Sequence, residues 1–210
     1  MSTAREPDDP LADPVAPRVS SWNIANQLTV LRMLLVPVFG WALLVDDGGS
    51  TFWRLVAAGI FVLAAWTDRI DGNLARSRGL VTSFGKLADP IADKALTGMA
   101  FVGLSIIGVL WWWVTIVLLV REWGITLMRF VVKKYGVMPA SQGGRIKTTL
   151  QAVAIGGYLL PFEIWDNTFS SVMRWATHVT MAAALAVTLV TAVQYVRDAV
   201  VMRREQKAAA

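Results

Sequence analysis

The sequence predicts an all-α integral membrane protein with six transmembrane helices, and two observations carry this prediction. Hydrophobic residues make up 55% of the 210-residue chain and charged residues only 17%, a balance typical of membrane proteins. Apolar runs of about 20 residues, the length that crosses the hydrocarbon core of a bilayer, recur along the chain. They lie at 28–45, 52–73, 88–108, 110–132, 147–164 and 171–196. Residues 21–200 are therefore predicted to form one six-helix domain.

The two ends of the chain differ from the apolar runs. Residues 1–20 are polar, acidic and rich in proline, a composition that predicts a disordered tail. They do not show the basic region followed by an apolar region that marks a cleavable signal. Residues 201–210 predict a short basic tail. The chain contains no cysteine, which excludes disulfides, thiolate metal ligands and a cysteine nucleophile.

The distribution of Lys and Arg predicts the orientation. The loops after the second and fourth runs and the C-terminus are basic: Arg76, Arg78, Lys86, Lys133, Lys134, Arg145, Arg197, Arg203, Arg204 and Lys207. The opposite loops carry Arg54 and Arg174 beside Asp46, Asp47, Glu163 and Asp166. Because positive loops remain in the cytoplasm, both termini are predicted to be cytoplasmic. These loops and anionic lipid headgroups explain the net charge of +5, so no nucleic acid partner is expected.

Four aspartates lie near the junction of the second and third runs. Asp68 and Asp71 are three residues apart, and Asp89 and Asp93 are four apart, so each pair shares one helix face. The segment between the helices, SRGLVTSFG, is so short that they must pack antiparallel. The four carboxylates are therefore predicted to meet in one pocket that faces the cytoplasm.

Such a pocket predicts bound metal ions. Four carboxylates at a membrane boundary repel one another, so cations are needed between them. All-oxygen sites suit hard ions such as magnesium, manganese or calcium, and two ions about 3.5–4 Å apart form a clamp for displacement at phosphorus. Gly72 and Ala75 leave room for a bulky ligand, and Gly85 relaxes the entry to the third helix. Arg76 can bind a phosphate through two hydrogen bonds.

These residues form a pattern, D-x2-D-G-x2-A-R-x8-G-x3-D-x3-D, which is complete at every fixed position. The fixed positions are Asp68, Asp71, Gly72, Ala75, Arg76, Gly85, Asp89 and Asp93. In this pattern the sequence resembles the CDP-alcohol phosphotransferase family. The resemblance implies six transmembrane helices, a homodimer and an active site open to the cytoplasm. It also implies transfer of a substituted phosphoryl group from a CDP-linked donor to an alcohol, with release of CMP.

The resemblance also implies a role for each residue of the pattern. Asp68, Asp71 and Asp89 would be metal ligands, and Asp93 would be the general base while also contacting a metal. The implied cofactor is two Mg²⁺ ions, with Mn²⁺ as an alternative. The implied CDP-binding residues are Asp68, Gly72, Ala75, Arg76 and Gly85.

Longer segments, which include the pattern and reach well beyond it, resemble one branch of the family, the bacterial phosphatidylglycerophosphate synthases. These segments are 23–39, 67–97, 121–136 and 139–151, and beyond about Gln151 only the hydropathy is shared. The implied donor is CDP-diacylglycerol and the implied acceptor is sn-glycerol 3-phosphate. The implied setting is phospholipid biosynthesis in the bacterial inner membrane.

A phosphorylated acceptor requires cations beside the carboxylate pocket. Lys147 is the leading candidate, because it follows Gly143 and Gly144 at the start of the fifth run. The candidate hydroxyl donors are Ser141 and Thr148, and the other candidate cations are Arg129, Lys133, Lys134 and Arg145. Each of these cations has the alternative role of setting the topology and contacting lipid headgroups.

Other polar and aromatic residues have open or structural interpretations. Arg121 and Glu122 lie inside the fourth run, where they either pair with other helices or bind the acceptor. The run Trp111–Trp113 is predicted to be an interfacial aromatic belt. His178, the one histidine, is predicted to be structural.

Three alternative functions remain. Within the same chemistry, the acceptor could be inositol phosphate or phosphatidylglycerol. From a different class, the chain could be a divalent cation transporter that uses the aspartates for selectivity. A transporter would carry polar residues at mid-membrane on several helices or an internal repeat, and the sequence shows neither.

Overall fold

The computed structural model describes residues 24–77, 83–132, 142–162, 164 and 167–209, and for some residues inside these ranges only the backbone. Within this part the chain forms six α-helices, each overlapping one of the six apolar runs. They are α1 Ile24–Leu44, α2 Thr51–Ser77, α3 Ser83–Ile106, α4 Trp112–Val132, α5 Gln142–Leu159 and α6 Thr168–Ala209. The described residues contain no strand, so the predicted all-α class is confirmed.

A tight turn reverses the chain between α1 and α2. The 3₁₀ segment Val45–Gly48 contains three residues with positive φ, namely Asp46 at 64°, Asp47 at 48° and Gly48 at 72°. Aspartate and glycine tolerate this left-handed backbone better than most residues. The turn closes with a hydrogen bond from the Gly49 N–H to the Asp46 carbonyl, at 2.8 Å. As a result α1 and α2 run antiparallel as neighbours.

Large apolar side chains from the first five helices fill the core. Phe39, Phe61, Phe101, Leu118 and Ile155, one from each helix in order, are at most 3% exposed. Close approach of α1 to α3 depends on Gly103, because a Cβ there would lie only 2.6 Å from Leu43 Cδ2. The bundle is therefore packed tightly from inside.

The outer surface of the bundle is also strongly apolar. Leu34, Trp41, Val120, Leu127 and Val193 are among many large hydrophobic residues that are more than half exposed. Such a surface indicates contact with lipid. Two of the described helices, Asn26–Gly48 and Thr168–Met202, are long and apolar enough to cross a membrane by length and composition. The number of spans therefore stays a prediction.

The connection between α2 and α3 determines where the aspartates lie. α2 ends at Ser77 and α3 begins at Ser83, so the five residues between them allow a separation of at most about 20 Å. The C-terminal end of α2 and the N-terminal end of α3 thus lie at the same end of the bundle. α1 packs against both helices.

Candidate active site

The aspartates occupy helical positions on α2 and α3. Asp68 and Asp71 lie in the last three turns of α2, and Asp89 and Asp93 lie in the first three turns of α3. Only the helical position is described for the rest of the sequence pattern: Gly72, Ala75 and Arg76 in α2, and Gly85 in α3. The side chains of Asp68, Asp71 and Arg76 lie outside the described part, whereas those of Asp89 and Asp93 lie within it.

The Asp89 carboxylate is held by a residue of α1. The Thr29 hydroxyl donates a hydrogen bond to Asp89 Oδ1 at 2.5 Å. Thr29 is 1% exposed, so its hydroxyl lies inside the bundle. Thr29 therefore orients one carboxylate oxygen from a helix 60 residues earlier in the chain.

Thr29 belongs to a polar stripe on an otherwise apolar helix. Asn26, Thr29 and Arg32 are spaced three residues apart and are at most 3% exposed, so one face of α1 presents polar groups to the interior. The sequence analysis assigned no role to Thr29 or Arg32. The regular spacing of three polar residues within an apolar run was the signal that could have identified them.

Asp93 lines a cavity of about 520 Å³ between α1, α2, α3 and α5. The polar lining residues are Arg32, Asp93, Thr97, Thr148 and Thr149. The apolar lining residues include Phe61, Val62 and Trp66 of α2 and Ala152, Val153 and Gly156 of α5. Val62, Trp66 and Val153 are each about 60% exposed, so the apolar wall reaches the outer surface of the bundle. One space thus joins a carboxylate and a guanidinium to an apolar surface.

Lys147 lies in a charged network between α4, α5 and α6. It is buried and forms an ion pair with the Glu122 carboxylate, whose Oε1 also accepts a hydrogen bond from Arg121 Nη1 at 3.1 Å. Arg121 continues the network to α6, where it donates to the Thr188 carbonyl at 3.2 Å and to Thr191 Oγ1 at 2.7 Å. The Asp93 carboxylate is close enough to Lys147 for electrostatic attraction.

The contacts of Arg121 and Glu122 bear on the two roles that the sequence leaves open for them. Both residues pair inside the bundle, as the structural interpretation predicted. Glu122, however, binds the very lysine that the sequence analysis singled out for the acceptor. The sequence analysis did not include Glu122 in the site.

The other predicted acceptor residues are described less completely. Thr148 lines the cavity with Asp93 and donates to the Gly144 carbonyl at 3.0 Å. Arg129 lies in α4 and Arg145 in α5, but their side chains lie outside the described part. Lys133, Lys134 and Ser141 lie outside the described residues altogether. Of the predicted acceptor cations, Lys147 is therefore the one whose side chain the structure describes.

The donor atoms present suit a divalent cation. Among the side chains that the structure describes, no group of three acidic or histidine residues converges. Asp89 and Asp93 are the two predicted ligands within that set, on one face of α3, and Asp68 and Asp71 occupy the adjoining end of α2. Carboxylate oxygens on one helix face, as at Asp89 and Asp93, are ligands of the kind that a hard divalent ion prefers.

Comparison with known proteins decides the family. The CDP-alcohol phosphatidyltransferase family model matches residues 22–201. The chain belongs to this family. Family membership confirms the resemblance carried by the eight-residue pattern, and the family is membrane-integral and generally uses divalent metal ions. The predicted membership of a membrane-integral family is thereby confirmed.

Three relatives share most of the length of the chain. A "Probable phosphatidylglycerophosphate synthase" of Mycobacterium tuberculosis (strain H37Rv) is 48% identical over 185 residues, 88% of this chain and 85% of the relative. A "CDP-diacylglycerol–glycerol-3-phosphate 3-phosphatidyltransferase" of Bacillus subtilis (strain 168) is 35% identical, over 73% of this chain and 86% of the relative. A protein of the same name from Escherichia coli (strain K12) is 37% identical, over 69% and 80%.

Proposed function

We propose that the chain transfers the phosphatidyl group of CDP-diacylglycerol to sn-glycerol 3-phosphate, giving phosphatidylglycerol phosphate and CMP. One observation in the structure carries the proposal: the cavity that joins Asp93 and Arg32 to an apolar wall on the bundle surface. A polar end beside an apolar, laterally exposed wall suits a substrate whose headgroup reacts while its acyl chains stay in lipid. The names of the three relatives specify the same reaction.

The two ends of the donor occupy different parts of this site. Its acyl chains lie along the apolar wall, which includes Val62, Trp66 and Val153. Its CDP group lies beside the α2–α3 junction, against the residues that the resemblance implies: Asp68, Gly72, Ala75, Arg76 and Gly85. The small residues of this set permit close approach to the helix backbone.

Two divalent cations, Mg²⁺ or Mn²⁺, would be held by Asp68, Asp71, Asp89 and Asp93. When bound they supply charge neutralisation at the pyrophosphate and at the leaving CMP. Thr29 orients the Asp89 carboxylate for this purpose. The protein's contribution is therefore to fix the ligands before the substrate arrives.

Asp93 acts as the general base. Its carboxylate takes the proton from the acceptor hydroxyl while that oxygen forms a bond to the phosphatidyl phosphorus. The bond between this phosphorus and the CMP oxygen breaks, and CMP departs with the bonding electron pair. Asp93 is suited to this role because it lines the cavity and lies near Lys147.

Lys147 binds the phosphate of the acceptor, together with Arg145, Arg129, Lys133 and Ser141. Glu122 holds the Lys147 ammonium in place from α4. The two cations of the network, Lys147 and Arg121, supply positive charge for the incoming phosphate. This arrangement favours a phosphorylated acceptor over a neutral alcohol.

The proposal includes a setting in the bacterial inner membrane, with six spans, cytoplasmic termini and a homodimeric assembly. The basic residues at the α2–α3 end support this orientation.

Because the chain contains no cysteine, single-cysteine variants report the orientation directly. A membrane-impermeant maleimide should label Thr168→Cys in intact cells and should label Gln206→Cys only after the membrane is opened. The reverse pattern would overturn the orientation.

The reaction is tested by CMP release from purified protein with CDP-diacylglycerol and magnesium. The acceptors compared are glycerol 3-phosphate, inositol phosphate and phosphatidylglycerol, and Asp93→Asn serves as the inactive control. Turnover with glycerol 3-phosphate alone supports the proposal. Turnover with another acceptor instead would keep the mechanism and reject the specificity, and absence of turnover with all three would reject both.

A further inference from the structure

A second polar cavity lies at the end of the bundle opposite the aspartates. It has a volume of about 340 Å³ and is formed where α3 meets α4, α5 ends and α6 begins. Asp93 lies in the first three turns of α3, whereas the cavity adjoins the other end of that helix, about 20 Å farther along its axis. The cavity therefore shares no residue with the candidate active site.

Two basic side chains of α6 line this cavity one helical turn apart. Arg174 Nη2 donates a hydrogen bond to Ser171 Oγ at 3.2 Å, and His178 Nδ1 forms a 2.7 Å hydrogen bond with the Tyr158 hydroxyl. The spacing of four residues places both side chains on the same face of α6. Both are exposed, and their hydrogen bonds orient them at the cavity without burying them.

Aromatic rings surround His178 and extend the cavity with an apolar surface. Trp111 stacks on the imidazole with 6.2 Å between centroids and 13° between planes, and Trp175 meets its edge at 6.4 Å. Val109, Leu160 and Phe162 complete the wall. Tryptophan side chains concentrate where lipid headgroups begin, so a ligand here would contact the boundary between headgroup and acyl chains.

The electrostatics of this cavity favour an anion. Of the described residues that line it, none carries a carboxylate. A second guanidinium, that of the buried Arg54, donates to the Tyr158 carbonyl at 2.7 Å and so lies behind the cavity wall. Guanidinium groups bind phosphate oxygens through charge-assisted hydrogen bonds.

We propose that this cavity binds the phosphate diester of an anionic phospholipid at the membrane face opposite the catalytic site. Arg174 and His178 contact the phosphate, and Trp111 packs against the glycerol and the first methylenes of the acyl chains. The aromatic and aliphatic wall selects a lipid over a free anion. The inference does not depend on the reaction proposed above, because no catalytic residue contributes to the cavity.

The test uses the full-length protein in detergent and counts lipids bound in native mass spectra. Phosphatidylglycerol is compared with phosphatidylcholine, for the wild type and for Arg174→Gln, His178→Gln and Arg197→Gln. The last is a matched control, an exposed arginine on the same helix at its other end. We expect Arg174→Gln and His178→Gln each to weaken binding of one phosphatidylglycerol at least fivefold, with Arg197→Gln unchanged at that site.

Four outcomes would overturn the proposal. Equal losses in Arg174→Gln and Arg197→Gln would indicate nonspecific attraction, and equal binding of phosphatidylcholine would remove the charge requirement. Displacement of the lipid by inorganic phosphate at similar concentrations would indicate a free-anion site. A photoactivatable phosphatidylglycerol should, in addition, label Trp111 or residues 167–178, and exclusive labelling of α2 would place the lipid at the other cavity. Circular dichroism and gel filtration check that each variant is folded.

Discussion

The two polar sides of the candidate active site are built in different ways. On the carboxylate side, Asp89 and Asp93 lie on one face of α3, and Thr29 of α1 supports the first of them. On the cationic side, Lys147 of α5 is bound by Glu122 of α4, and Arg121 links the pair to α6. The first side repeats like charges within one helix, whereas the second pairs opposite charges of α4 and α5 and reaches α6 through uncharged hydrogen-bond acceptors.

This difference shows where each side obtains its stability. The carboxylates repel one another, and in the proposed mechanism bound cations balance their charge. The cationic side holds part of its counter-charge within the protein, because Glu122 neutralises one of two cations. We therefore expect substitutions on the carboxylate side to affect catalysis and metal dependence, and substitutions on the cationic side to affect folding stability and acceptor affinity.

The largest effect should come from Asp93→Asn. An amide cannot accept the proton of the acceptor hydroxyl, so CMP release should fall about 10³-fold, within the range for loss of a general base. Binding of CDP-diacylglycerol with magnesium should persist, and it should be weaker in Asp68→Asn, which removes a proposed metal ligand. Equal loss of donor binding in the two variants would reject Asp93 as the base.

Glu122→Leu should have the next largest effect, and on stability rather than on chemistry. It leaves the buried Lys147 and Arg121 without their carboxylate, and breaking a buried ion pair from one side costs about 3 kcal/mol. The melting temperature in detergent should fall markedly. Thr191→Val, which removes one hydrogen bond from Arg121, is the matched control and should lower it much less. Similar melting temperatures for both variants would show that Glu122 is not required for the network.

Lys147→Gln should raise the KM for glycerol 3-phosphate about thirtyfold with a smaller change in kcat. The lost interaction is a charge-assisted hydrogen bond to phosphate, worth about 2 kcal/mol. Lys147→Arg keeps the charge and should recover part of the affinity. If the KM does not change, Lys147 belongs to the structural network alone and is not part of the acceptor site.

The carboxylate side could be predicted from the sequence to a large extent, and the cationic side only in part. The spacing of Asp68, Asp71, Asp89 and Asp93 is a local property of two helices, so it could be recognised before any packing was known. The pairing of Glu122 with Lys147 joins residues 25 positions apart, and the Thr29–Asp89 bond joins residues 60 apart. Such contacts depend on how helices pack, and periodicity along a single helix does not specify the partner.

The extent of α6 shows the same limit at the C-terminus. The sequence predicts that the last membrane run ends near residue 196 and that a basic tail covers 201–210, whereas α6 continues to Ala209. Apolar character marks where lipid contact ends, but helix formation does not stop there, because the following segment is rich in good helix formers such as Arg, Glu, Gln, Lys and Ala. Hydropathy therefore sets the limits of a span rather than those of a helix.

Thr29→Val should have the smallest of these effects. It removes the group that orients Asp89, a proposed metal ligand, and leaves Asp89 itself in place. Valine preserves the shape of the side chain and removes the hydroxyl that donates to Asp89, so the magnesium concentration for half-maximal activity should rise about tenfold, as for other partners of metal ligands. Thr29→Ser keeps the donor and should restore metal dependence close to that of the wild type. If the serine variant resembles the valine variant, buried packing of the threonine methyl would explain the effect. The carboxylate side would then depend on packing between helices as much as the cationic side does.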